Sequence, residues 1–66
     1  MSAHQREFQG IPYTIFVDEV RHGWSWSISV GGYCETLNER PARSEEIAIS
    51  EAQHAAEWYI KNRRGD

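Results

Sequence analysis

Residues 24–30 read Trp-Ser-Trp-Ser-Ile-Ser-Val, so large apolar side chains alternate with serine along the whole stretch. Side chains of a β-strand point alternately to its two faces, and this period of two therefore predicts a strand with one buried and one exposed face. No catalytic or ligand-binding motif adjoins the stretch. It indicates the fold class without indicating a function.

Two further strands are predicted on either side of this segment. Apolar side chains also alternate over residues 13–18, and the turn to the Trp/Ser strand is predicted at residues 21–23, where Gly23 can adopt a positive φ. Gly31-Gly32 predicts a two-residue hairpin of type I′. The third strand then runs over residues 33–38, which completes an antiparallel meander with strand order 1-2-3.

The Gly-Gly turn sets a register that can be checked against side-chain character. It pairs Val30 with Tyr33 and Trp26 with Leu37, so the apolar residues share one face. Glu35 falls on the same face and needs either an edge position or an arginine partner from the loop that follows. Trp26 is predicted to be the most buried tryptophan, because its strand is central and lies beneath the helix.

A single helix is predicted over residues 45–63. Ser44 is a suitable N-cap, and Glu45 and Glu46 place negative charge at the positive end of the helix dipole. The helix carries an apolar stripe at helical spacing: Ala48, Ile49, Ala52, Ala55, Ala56, Tyr59 and Ile60. The sequence thus predicts an α+β fold, a three-stranded antiparallel meander with one C-terminal helix on one face. Residues 9–64 form this single domain, and residues 1–8, without periodicity, are predicted to be a flexible tail.

Composition restricts the chemistry that the chain can support. A domain of 66 residues is marginally stable, and its single cysteine, Cys34, cannot form an intrachain disulfide. His4, His22 and His54 lack metal-ligand spacing, and no acid–base pair or activated nucleophile is present. We therefore expect no enzymatic activity, no catalytic residue, no cofactor, no metal and no small-molecule substrate. Small domains are often stabilised by disulfides, metals or oligomerisation, and of these the sequence is compatible with oligomerisation.

The cellular location is predicted from the same composition. No apolar run is long enough to span a membrane, and the polar N-terminal residues do not resemble a signal peptide. A lone thiol fits a reducing compartment, so we expect a cytoplasmic protein without membrane contact.

Two sets of residues are candidates for protein contact. The helix carries a second stripe away from its core stripe, formed by Ile47, Glu51, His54 and Trp58. Phe16 lies on the sheet face opposite the helix, beside the row of serines. The alternative for Trp58 is a side chain that leans against the sheet edge, and the alternative for Phe16 is coverage by Phe8 of the tail.

Arg40 and Arg43, in the loop before the helix, are the candidate contacts to nucleic acid. Local ion pairing with neighbouring glutamates is the alternative for both. The net charge of −3 is typical of an ordinary soluble protein and argues against a dedicated nucleic-acid binder, which usually has a basic surface.

Three segments carry a resemblance to a known family. They are Gly10-x-x-Tyr13, Gly23-Trp24-Ser25-Trp26 and Arg43-Ser44-Glu45-x-Ile47-Ala48-x-x-Glu51-Ala52. They resemble a family of short, uncharacterised bacterial proteins, mostly from proteobacteria, and the resemblance covers residues 10–60. It implies a bacterial origin and no established activity or site residues.

The β-β-β-α order is also similar to the C-terminal part of double-stranded-RNA-binding domains and to the three-stranded DNA-binding domains of some integrases. The RNA-binding domains begin their final helix with lysines, whereas this chain reads Ser44-Glu45-Glu46 there, which would repel phosphate. The integrase domains use a basic sheet face, whereas serine, threonine and asparagine are predicted on the outer face here. Both departures argue against the transfer of that function.

The sequence as a whole therefore predicts a small non-enzymatic interaction or regulatory module that acts through a protein partner or as a homodimer. The alternative is a nucleic-acid-binding domain that uses the sheet face or the loop with Arg40 and Arg43.

Overall fold

The computed structural model describes residues 2–38 and 40–63, which form one antiparallel sheet and one helix. The elements are β1 (Ser2–Phe8), β2 (Ile11–Val20), β3 (Gly23–Val30), β4 (Tyr33–Thr36) and α1 (Glu45–Arg63). The strand order in the sheet is β1-β2-β3-β4, with neighbouring strands antiparallel. The α+β class, the meander and the C-terminal helix are confirmed. The number of strands is four instead of three.

The additional strand is β1, which corrects the prediction of a flexible tail at residues 1–8. Ser2–Phe8 pairs along its whole length with β2, from Ser2 opposite Val17 to Phe8 opposite Ile11. The hairpin turns at Gln9 and Gly10, whose φ values of 53° and 79° are both positive, as a type I′ turn requires. The folded region thus begins before residue 9, while Met1 and the expected boundary at residue 64 lie outside the described residues.

Edge-strand character explains why β1 lacks a sequence signal. Among the described residues β1 pairs on one side only, with β2, and its residues His4, Arg6 and Glu7 are polar or charged. Charged side chains are common on edge strands, where they discourage pairing with another chain. Its one large apolar residue, Phe8, packs against the core from the end of the strand.

The predicted pairing of β3 with β4 is confirmed. Val30 lies opposite Tyr33 and Ile28 opposite Glu35, and the Leu37 amide donates to the Trp26 carbonyl at 2.9 Å. The turn type differs from the prediction. Of the two central glycines only Gly31 has a positive φ, 61°, which is the pattern of a type II′ turn instead of type I′. Both types match the twist of the strands, so the register is the same.

Glu35 lies on the apolar face, as expected, and its partner is a tyrosine. The Tyr33 hydroxyl donates a hydrogen bond to Glu35 Oε1 at 2.8 Å. Tyr33 in turn stacks on Tyr59 of α1, with ring centroids 3.9 Å apart. The edge position on β4 and this hydroxyl therefore accommodate the carboxylate without an arginine.

The helix begins and ends at the predicted residues. The Ile47 amide donates to Ser44 Oγ at 3.2 Å, which confirms Ser44 as the N-cap. Ala48, Ala52 and Ala56 are fully buried against the sheet. Because alanine has a short side chain, α1 lies close to β2 and β3, and the larger core side chains come from the strands.

The loop before the helix is attached to the start of β3. Trp24 and Ala42 exchange two backbone hydrogen bonds, of 2.9 and 2.8 Å. Gly23, with φ of 150°, lies so close that a Cβ there would collide with the Ala42 carbonyl oxygen. The position therefore requires glycine, and the loop that carries Arg40 and Arg43 has a defined path.

The buried core is one cluster between the sheet and α1. Its members are Tyr13, Ile15, Val17, Trp26, Ile28, Val30, Ala42, Ala48, Ala52, Ala56 and Ile60. Trp26 is 7% exposed and is the most buried of the three tryptophans, as predicted, while Trp24 is half-buried.

We predict that Trp26→Ala lowers the free energy of unfolding by about 3–5 kcal/mol, because it leaves a cavity beneath the helix. Urea denaturation followed by circular dichroism measures the loss. Trp26→Phe is the matched control, since it keeps most of the apolar volume and should lose less. An alanine variant as stable as the wild type would contradict the assigned core face.

We also predict that removal of residues 1–8 destabilises the domain, because β2 loses a paired strand and the core loses Phe8. A loss of about 1 kcal/mol already lowers the Tm of a domain of this size by roughly 4–8 °C, and we expect at least that shift. Phe8→Ala in the full chain separates the side-chain contribution from that of strand pairing. An unchanged Tm in the truncated chain would show that β1 contributes nothing to stability.

Candidate interaction surfaces

The first candidate surface is the outer helix stripe, formed by Ile47, Glu51, His54 and Trp58. All four residues are exposed on α1, outside its buried alanine stripe. Trp58 is 65% exposed and Ile47 is 41% exposed. The alternative in which Trp58 lies covered against the sheet edge does not fit this exposure.

Glu51 also has a structural contact that the sequence did not indicate. Its Oε1 accepts a hydrogen bond from the indole Nε1 of Trp26 at 3.2 Å. A largely buried indole N–H needs a partner, and Glu51 supplies it from the flank of the helix. Glu51 therefore links the core to the outer helix stripe. One feature of the sequence could have indicated this contact. Trp26 was predicted to lie in the core, where its indole N–H would need a hydrogen-bond acceptor.

The second candidate surface is the open sheet face, which is the side of the sheet opposite α1. Phe16 is 37% exposed and Val20 is 38% exposed there. Phe16 lies directly opposite Ala3 on β1 and Ser27 on β3, so it projects from small neighbours. It borders a shallow depression whose lining includes Val20, Ser25 and Thr36. This surface and the outer helix stripe lie on different sides of the domain.

The N-terminal segment does not cover Phe16 in the way the sequence alternative proposed. Phe8 pairs with Ile11, and residues paired in this way point to the same side of the sheet. Both are packed against the core on the helix side. Phe8 and Phe16 therefore lie on opposite faces, and that alternative is wrong.

The open sheet face is acidic. Among the described strand residues that point to this side, the ionised side chains are Glu7 and Asp18, and none is lysine or arginine. Arg6 pairs with the buried Tyr13 and so points to the helix side. A polyanion would therefore meet negative charge on this face.

The two loop arginines are exposed and lie near acidic residues. Arg40 lines a cleft together with Trp26, Leu37 and Glu51. Arg43 precedes Ser44, Glu45 and Glu46 in the chain. The Glu45 carboxylate accepts a hydrogen bond from Ser2 Oγ at 3.2 Å, which joins the helix start to β1. The surroundings of this loop are therefore mixed in charge.

Two tyrosines have altered proton affinities. Burial raises the pKa of Tyr13 above its ordinary value of 10.0; the charge of Glu57 raises it further, and that of Arg6 opposes the rise. The hydrogen bond to Glu35 raises the pKa of Tyr33. Both hydroxyls are therefore protonated at neutral pH, and that of Tyr33 donates its hydrogen bond to Glu35.

Metal binding, membrane insertion and thiol chemistry have less support than the two candidate surfaces. Within residues 2–38 and 40–63, no group of three or more His, Cys, Asp and Glu side chains could hold a metal ion. The same residues contain no helix with the length and apolar character to cross a membrane. Cys34 is exposed on the open sheet face, with Sγ 4.0 Å from Ser29 Oγ.

Comparison of the chain with protein-family models, curated proteins and solved structures finds no match. The two resemblances given by the sequence are therefore still expectations.

We predict that the chain does not bind duplex DNA or RNA saturably at micromolar protein concentration and physiological salt, because the described strand residues on the open sheet face include no lysine or arginine and the loop arginines lie near glutamates. Fluorescence anisotropy with labelled duplexes measures this. Salt-sensitive micromolar binding that disappears in the Arg40→Glu/Arg43→Glu variant would contradict the prediction.

Proposed function

We propose that this chain is a small non-enzymatic interaction module that acts through a protein partner or as a homodimer. The observation that carries the proposal is Trp58, which is 65% exposed on a regular helix with Ile47 on the same stripe. An exposed tryptophan adds apolar surface to water without adding to the core. Tryptophan is enriched among the residues that dominate binding energy at protein interfaces.

The outer helix stripe supports this function better than the open sheet face does. Phe16 and Val20 are each less exposed than Trp58, and Glu7 and Asp18 lie on the same side of the sheet. Trp58 lies within a helix, so its backbone is already ordered and a partner would have to immobilise only its side chain. The open sheet face is the second possible contact surface of the same function.

The size of the domain supports association as well. A 66-residue chain with a single cysteine has a small core and no intrachain disulfide. Burial of exposed apolar side chains against a second chain would add to its stability. The lone thiol supports our proposal of a cytoplasmic location. Nucleic-acid binding through Arg40 and Arg43 is the competing function, which the anisotropy measurement tests.

We predict that Trp58→Ala weakens self-association or capture of a protein partner at least about tenfold, because it removes the largest exposed apolar side chain. The free energy of unfolding should change by only about 0.5 kcal/mol, as is usual for exposed positions. Sedimentation velocity over a concentration series and pull-down with the tagged full chain measure the two forms of association.

Two further variants make this experiment specific. Phe16→Ser should weaken association instead if the open sheet face is the contact surface. His22→Ala, in an exposed turn outside both surfaces, is the control and should have no effect. If the protein is monomeric at high concentration and neither variant loses a partner, the proposed function is wrong.

A further inference from the structure

We propose that the partner of the outer helix stripe is a second copy of this chain, with the two α1 helices antiparallel and related by a two-fold axis that passes between residues 52 and 53. This inference rests on the proposed function and deepens it. It identifies the occupant of the stripe and the geometry of the contact. The basis is that the stripe is complementary to itself in this one arrangement.

The spacing of the stripe is symmetric. Its members Ile47, Glu51, His54 and Trp58 are separated by four, three and four residues. An axis between residues 52 and 53 therefore exchanges residue 47 with 58 and residue 51 with 54. This alternation of three and four is also the spacing with which helices pack side by side as knobs into holes.

The axis brings unlike groups together in pairs that suit each other. Trp58 lies against Ile47 of the second copy, so the two most exposed apolar side chains of the helix cover each other. Glu51 lies against His54 of the second copy, which places a carboxylate beside an imidazole. Each pair occurs twice because the contact is isologous. The contact thus has two apolar pairs at its ends and two polar pairs at its centre.

The charges at the helix ends favour the same direction. Glu45 and Glu46 lie in the first turn of α1, and exposed Lys61 lies near its end. The antiparallel arrangement places Lys61 opposite Ser44 of the second copy, next to that copy's acidic first turn. It also sets the two helix dipoles antiparallel, which is the favourable orientation for helices that lie side by side.

Other arrangements of the same helices place like or unsuited groups together. In a parallel pair each residue faces its own copy, so Glu51 would oppose Glu51. An antiparallel pair centred on His54 would set Trp58 against Ser50 and Ile47 against Lys61. One centred on Glu51 would again oppose the two carboxylates. The axis between residues 52 and 53 avoids all of these contacts.

The carboxylate of Glu51 already has one contact within its own chain. Trp26 Nε1 donates a hydrogen bond to its Oε1 at 3.2 Å, so a second copy would be met by the other carboxylate oxygen. From Ile47 to Trp58 the stripe is about 16 Å long, given a rise of about 1.5 Å per residue. A contact of this length buries less than about 1,200 Å² of accessible surface in total, which is typical of weak and reversible complexes.

Sedimentation velocity and NMR titration of the full chain, up to millimolar concentration, test the inference. We expect a concentration-dependent dimer of the wild type. Trp58→Ala and His54→Glu should each weaken it at least about tenfold, the second because glutamate would face Glu51. His54→Lys is the matched control and should keep the dimer, because the lysine ammonium offers Glu51 a hydrogen-bond donor in place of the imidazole. Both positions are exposed, and circular dichroism verifies that each variant is folded.

A spin label determines the direction of the helices. Lys61→Cys in a Cys34→Ser background carries the label, and it is mixed with unlabelled, isotope-enriched wild type. The antiparallel contact predicts broadening of amide signals near residues 44–47 of the unlabelled copy. Broadening near residue 61 instead would show a parallel pair and overturn the inference.

The outcomes separate this inference from the proposed function. A monomeric wild type whose capture of a purified protein partner depends on Trp58 would overturn the inference and retain the function. A dimer lost in Phe16→Ser but kept in Trp58→Ala would do the same, since the sheet face would then be the contact. A dimer lost equally in His54→Lys and His54→Glu would also overturn the pairing of Glu51 with position 54.

Discussion

The close contact between the alanines of α1 and the apolar face of β3 determines the arrangement of the other parts. Ala48, Ala52 and Ala56 have no exposed surface, and Ile28 and Val30 beneath them are equally inaccessible. Short side chains on the helix allow a close approach but contribute little volume. The volume of the core therefore comes from the sheet, which is why the central strand carries Trp26.

A single helix is narrower than the sheet that it covers. Helices with side chains are about 10 Å across, while four strands at about 4.8 Å spacing span more than that. Side chains at the two edges of the sheet cover the part of the core that the helix does not reach. Phe8 packs against the core from β1, and Tyr33 stacks on Tyr59 from β4. Both edges of the core thus depend on aromatic residues.

Because the domain has one helix over one face of its sheet, two apolar surfaces are in contact with solvent. With one helix layer, the chain provides no element over Phe16 on the open sheet face among its described residues, and the outer side of α1 has no layer above Trp58. Glu51 connects the interior to one of these surfaces through its hydrogen bond with Trp26. A change in the core that moved Trp26 would therefore alter the charge pattern presented by the outer helix stripe.

The sequence by itself determined the features that depend on local periodicity and local capping. The alternation in residues 24–30, the register of β3 with β4, the N-cap at Ser44 and the bounds of α1 all follow from neighbouring residues. The places of Trp58 and Phe16 outside the apolar stripe or face of their elements also followed, whereas their exposure was left open because another segment could have covered either one.

Only the tertiary structure decided the remaining features. Strand β1 has little apolar periodicity, and its pairing with β2 depends on backbone hydrogen bonds, which every residue type except proline can donate. The Gly31-Gly32 pair is compatible with two turn types, so composition could not choose between them. The hydrogen bond of Trp26 to Glu51 joins residues 25 positions apart. Contacts of this kind arise when packing brings distant segments together, and no local pattern specifies them.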